Sequence, residues 1–117
     1  MTEHRLPDYL DHIQQAATDA CAFVQGMVKE KFLEDKRTQQ AVIMSFIIIG
    51  EAVTKVMDGY PEFVSSHEQV PWRSMRGMRN RIAHGYFDIN LDLVWDTVQI
   101  ALPELITNLN AIRKSDA

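Results

Sequence analysis

Four arginines and a histidine crowd into one stretch of this chain. Between Gln69 and Phe87 stand Arg73, Arg76, Arg79, Arg81 and His84, with no acidic residue among them. A guanidinium presents a planar fork of donors that grips phosphate at two points. An imidazole takes or gives a proton near neutral pH. No metal site accompanies them: His4, His12, His67 and His84 form no paired spacing with cysteine or carboxylate. Without a metal, arginine plus histidine suits phosphodiester cleavage in RNA. RNA carries its own nucleophile, the 2′-hydroxyl. The protein then supplies only a general base or acid and positive charge for the crowded phosphorane. His84 fills the first role and Arg79 the second. The expected product is a 2′,3′-cyclic phosphate, with no metal and no cofactor required.

Helical geometry sorts these residues. At about 100° per residue, Arg73, Arg76, Arg79, Asn80 and His84 share an arc of about 140°. Met75, Met78 and Ile82 fall on the opposite side. The segment therefore reads as a helix with an apolar face for the core and a cationic face for phosphate. Arg73, Arg76 and Asn80 are candidate phosphate-binding supports for Arg79 and His84. Asn80 and His84 are four apart, so their side chains can meet. On spacing alone two plainer readings stay open: a solvated arginine face, and a terminal histidine favoured by the helix dipole.

The elements that must position this helix are helical too. A first helix opens near Pro7, since proline fits the first turn. Its stripe is Leu10, Ile13, Ala17, Ala20, Cys21, Val24 and Met27. The charged run Lys29 to Lys36 interrupts the pattern, and Asp35 or Thr38 can cap the next helix. That second helix carries Val42, Ile43, Phe46, Ile47, Ile48, Ile49, Val53 and Met57, apolar almost all round, which calls for burial on more than one side. Gly59 and Pro61 are expected to end it. A connector over residues 61–71 has one short helical turn, and the arginine helix runs from Pro71 to His84, closed by Gly85. Asn90 caps the last helix, whose stripe is Leu91, Val94, Trp95, Val98, Leu102, Leu105, Leu109 and Ile112, with Pro103 inside it as a kink. The expected fold is all-α, an antiparallel four-helix bundle with a short extra helix and a kinked C-terminal helix, in a single domain over residues 1–117.

Composition narrows the setting. The chain has 117 residues, 46% hydrophobic and 24% charged, which excludes a disordered polyelectrolyte. Net charge is −4, and outside the arginine segment eight basic residues face all sixteen acidic ones. Positive charge is therefore local. Lone Cys21 excludes an internal disulfide and sits on a core-facing stripe, where packing explains it better than nucleophilic chemistry. The most apolar run, Ala41 to Gly50, is shorter than the ~20 residues that cross a bilayer. The charged start MTEHRLPDYLDH lacks the apolar core of a signal peptide. A cytoplasmic protein with no membrane partner is the expectation.

The sequence RGMRNRIAHGYFDIN resembles the motif of the HEPN superfamily, an arginine followed four to six residues later by histidine. Arg79-Asn-Arg-Ile-Ala-His84-Gly-Tyr86 is similar to the Arg-x4-His-x-Tyr signature of the HepT toxins. The likeness extends to DKRTQQAVIMSFIIIGEAV (35–53) with its Gly50-Glu51-Ala52, to Pro71-Trp72, and to Val94-Trp95 with Leu102-Pro103. It covers most of residues 8–110. The resemblance implies a metal-independent endoribonuclease toxin of a type VII toxin–antitoxin pair. It implies a homodimer whose two Arg-His motifs face one cleft, and an antitoxin that is a minimal nucleotidyltransferase of the MntA type. That partner would attach AMP to the motif tyrosine, here Tyr86. A non-catalytic HEPN module that binds a nucleotide or an acidic partner is the alternative, though it would not need the imidazole. Glu51, acidic within an apolar helix, is expected to serve as a structural partner for the arginine face.

Overall fold

The computed structural model describes residues 5–115, and every element in it is helical. His4 lies outside the described residues. Helix α1 (Leu6–Phe23) opens with Pro7 in its first turn and a capping contact from Arg5 N–H to Asp8 Oδ2 at 2.9 Å. It stops where Gly26 adopts φ +79°, a left-handed conformation that a side chain would strain. The sequence pattern reads the charged run as an interruption between helices. Instead α2 (Lys29–Glu34) forms there, because Phe32 turns inward, becomes fully buried and packs 5.4 Å from Trp95.

Helix α3 (Lys36–Gly59) is the spine. Asp35 caps it, accepting from Thr38 N–H at 3.1 Å and from the Thr38 hydroxyl at 2.7 Å. Val42, Phe46, Ile49, Val53 and Val56 are buried, with α1 on one side and α5 on the other. Gly59 does not act as a left-handed stop: it is the last helical residue, and Tyr60 and Pro61 turn the chain into α4 (Pro61–Ser66). The apolar run Ala41 to Gly50 also understates the helix. α3 has 24 residues, and its mean hydropathy of 1.6 over the most apolar window meets the length and composition of a membrane-crossing helix; half of that window is buried within the fold.

Helix α5 (Trp72–His84) packs along α3. Its start is pinned by buried Trp72, whose indole N–H donates to the His67 carbonyl at 3.0 Å. Met75 and Ile82 are buried as their spacing predicts, whereas Met78 is only half-buried, at the edge of the apolar face. After Gly85 a 3-10 turn (Tyr86–Asp88) is closed by Asp88 N–H to the Gly85 carbonyl at 2.9 Å. Asn90 then caps α6 (Leu91–Asp96) through Leu93 N–H at 3.1 Å.

Pro103 perturbs the last helix as expected, by a route the sequence does not display. A π-helical turn (Thr97–Ala101) separates α6 from α7 (Leu102–Ser115), and Leu102 N–H reaches back to the Thr97 carbonyl. The wider turn relieves the clash between the proline ring and the preceding turn. Val98, Leu102, Leu105, Leu109 and Ile112 stay buried, and α7 lies against α1. Arg113 ties the two helices, donating to Asp11 and, at 2.7 Å, to Gln14. The bundle thus holds α3 centrally, with α5 and its cationic face along one flank.

Candidate active site

The site begins with a missing side chain. At Gly50 a β-carbon would sit 2.2 Å from Arg79 Cβ and 2.7 Å from Arg79 Cγ. No ordinary contact is that short, so α3 and α5 come together here only because residue 50 is glycine. Glycine inside a helix costs about 1 kcal/mol relative to alanine, which this close approach offsets.

The next residue of α3 completes the seat. Glu51 Oε1 accepts from Arg79 Nη2 as a charge-assisted bond. On the other side Arg79 Nη1 donates to Asn80 Oδ1 at 2.9 Å. Arg79 Nε is buried, with no partner among the described residues. One N–H therefore remains on each terminal nitrogen. Both donors lie on a side chain that is 28% exposed, and two free N–H groups on one guanidinium suit a bidentate grip on phosphate.

The other candidates spread along the same helix. Arg76 reaches Asp58 at 4.0 Å, a loose pair that leaves its guanidinium available, and Arg73 and Asn80 are exposed. His84, the last residue of α5, is exposed and has no hydrogen-bond or ion-pair partner among the described residues. Asn80 and His84, which the four-residue spacing allows to meet, share no hydrogen bond; the Asn80 side-chain oxygen accepts from Arg79 instead. Nor does a hydrogen bond join Arg79 to His84. Arg81 leaves the cationic face and lines a cavity of about 170 Å³ with Met78, Ile82 and Leu93. Tyr86 follows Gly85 on the 3-10 turn, 45% exposed, its ring edge-on to Phe87 at 5.9 Å.

No group of three metal-binding side chains occurs among the described residues. Cys21 lies away from this face: its thiol is directed at the Val98 carbonyl at 3.9 Å, and burial pushes its pKa up, which weakens it as a nucleophile. Two features escaped the sequence reading. Gly50 carries one signal of its role as a seat, that of a glycine inside an apolar helix. Phe87 gave no signal, since an aromatic in a short connector is ordinarily buried under it.

The family model "Ribonuclease HepT-like" matches residues 13–112. A provisionally named RNase of Methanocaldococcus jannaschii is 37% identical over 106 residues, covering 91% of this chain and 85% of that protein. A Thermococcus cleftensis protein with the provisional name ribonuclease HepT is 36% identical over 107 residues, covering 92% and 94%. A third, from Caldanaerobacter subterraneus and also provisionally named an RNase, is 34% identical over 108 residues, covering 92% and 94%. No solved structure gives a significant match. The matched span takes in α3 with its glycine seat, α5 with Arg79 and His84, and the turn that carries Tyr86, and the chain belongs to the ribonuclease HepT-like family.

Proposed function

We propose that this protein is a metal-independent endoribonuclease and the toxin of a type VII toxin–antitoxin pair. The observation that carries the reading is the seating of Arg79: α3 and α5 fix its stem at Gly50, and Glu51 and Asn80 fix its head. A guanidinium held in this way stabilises charge that develops on phosphorus without reorganising at the moment of reaction. The 2′-oxygen of the RNA forms a bond to phosphorus and the bond to the 5′-oxygen breaks. His84, exposed and unpartnered at the helix end, takes the 2′-hydroxyl proton or returns one to the leaving oxygen. The products are a 2′,3′-cyclic phosphate and a 5′-hydroxyl. Arg76 and Arg73 extend the positive face for the flanking phosphates.

The working unit is a homodimer with two-fold symmetry and two His84 side chains in one groove. Support comes from α3, which leaves Met44 and Ile48 exposed on the helix that also bears Glu51. The acidic remainder of each protomer then matters less, because two arginine faces line the same cleft. Silencing comes from an MntA-type nucleotidyltransferase that transfers AMP from ATP to the Tyr86 hydroxyl, releasing pyrophosphate. The added phosphate engages Arg79 and competes with RNA. The test is cleavage by purified protein in excess chelator. RNA is cut and DNA is not, since DNA lacks the 2′-hydroxyl. Binding of RNA without cleavage would favour the non-catalytic module, and a strict need for magnesium would replace this mechanism.

A further inference from the structure

Phe87 is 98% exposed, the most exposed large apolar side chain among the described residues. Its backbone is not loose: the turn Tyr86–Asp88 is closed by its own hydrogen bond and leads directly to the Asn90 cap of α6. Tyr86 meets it edge-on, with the ring planes at 89°, and the exposure shows that the ring's faces stay in water. It lies three positions beyond His84, with only Gly85 and Tyr86 between them, so at most about 11 Å of chain separates their α-carbons. The segment that leads to it, from Gln69 to Phe87, contains four arginines and no acid, and Asp88 is the one acid on the turn itself. An open aromatic face at the end of a cationic helix matches the combination that binds unpaired nucleotides, with positive charge along the backbone and a ring under a base.

We propose that Phe87 is a stacking platform for an unpaired base beside the phosphate held by Arg79, so that the substrate class is single-stranded RNA. The proposal rests on the ribonuclease reading above and adds a binding site to it. Positive charge and proximity to His84 favour a nucleobase over a second protein chain as the occupant. Stacking is tolerant of base identity, so Phe87 confers a preference for unpaired strands and little sequence selectivity. A duplex, with its bases stacked on each other, cannot offer a free face to the ring.

The test is a binding titration of a fluorescein-labelled 2′-O-methyl RNA, which the protein cannot cleave, as a single strand and as a duplex. The wild type binds the single strand more tightly. Phe87→Ala weakens single-strand binding by about 5- to 150-fold and leaves duplex binding nearly unchanged. Phe87→Trp restores it, whereas Phe87→Leu does not, because an apolar side chain without a π-face cannot stack. Ile100→Ala, at a site 68% exposed on the π-helical turn, has no effect. Wild-type binding by Phe87→Ala, or rescue by leucine equal to tryptophan, overturns the proposal. So does a change in oligomeric state on Phe87→Ala by light scattering, which would assign the ring to a contact between protein chains. Cleavage by the wild type with Phe87-independent binding would sink this inference alone. Phe87-dependent binding with no cleavage would instead sink the catalytic reading and leave the platform standing.

Discussion

Replacing Gly50 with alanine adds one methyl group, and its surroundings leave no room for it. The new β-carbon would fall 2.2 Å from Arg79 Cβ, against an ordinary carbon–carbon separation of about 3.5–4.0 Å. Arg79 Cβ is bonded directly to the α5 backbone, so it cannot swing aside as a side-chain tip would. The helices must separate locally by about 1 Å or more. Overpacking of this kind costs about 1–3 kcal/mol. For a chain of this size that lowers the melting temperature by roughly 4–12 °C. The same displacement moves the guanidinium away from Glu51, and a misplacement of about 1 Å in a catalytic group costs on the order of 10²-fold in rate. Circular dichroism melts and initial rates on a single-stranded RNA measure both effects. Gly59→Ala is the control: a β-carbon there meets nothing within 4 Å, so stability holds or rises by about 0.4–1 kcal/mol and cleavage persists. A Gly50→Ala protein with wild-type melting and wild-type cleavage refutes the seat.

Three further outcomes are expected of the same molecule. Glu51→Ala lowers cleavage on the order of tenfold by freeing the guanidinium, while an exposed ion pair of this kind changes stability by no more than about 1 kcal/mol; rates and melts on one preparation separate the two. Asp35 is held below the usual carboxylate range by the Thr38 hydroxyl and N–H, with Arg37 adding to it. Its contribution is therefore present above the unfolded carboxylate pKa of about 3.9 and is lost as pH falls through the depressed folded value. Acid melting curves should show Asp35→Asn less stable than wild type at neutral pH, with the gap closing in acid. Tyr86→Phe should keep much of the cleavage activity and gain no AMP when incubated with the partner nucleotidyltransferase and ATP; intact-mass spectrometry reads this, and modification at the wild-type level would remove Tyr86 from its role.

The periodic parts of the fold were legible because burial leaves a three-and-four spacing. Ile13, Phe46, Val53 and Leu109 were all placed on core stripes by that spacing, and all are fully buried. The Asn90 cap was readable because a short polar side chain before an apolar run favours that use, whereas Asp35 and Thr38 both fit the start of α3 and the structure selects Asp35. The hidden parts depend on contacts between distant segments. α2 hides in a charged run, since a single inward Phe32 carries no period. The π-helical turn precedes Pro103, and the residue types alone do not separate a wider turn from a simple kink. At the site, the cationic face came from helical angles, whereas the Gly50 notch required the pairing of α3 with α5. Spacing permits Asn80 to meet His84, whereas the bond that forms is from Arg79, the neighbour anchored on α3.

The central claim is that Arg79 and His84 together cleave RNA through its 2′-hydroxyl. Its most direct measurement is the end-group left on a defined single-stranded RNA, incubated in excess chelator with wild type, Arg79→Ala and His84→Ala. The wild type should leave a 2′,3′-cyclic phosphate, with each variant slower by about 10²-fold or more. Undiminished cleavage by His84→Ala, or a 3′-hydroxyl end from the wild type, would contradict it.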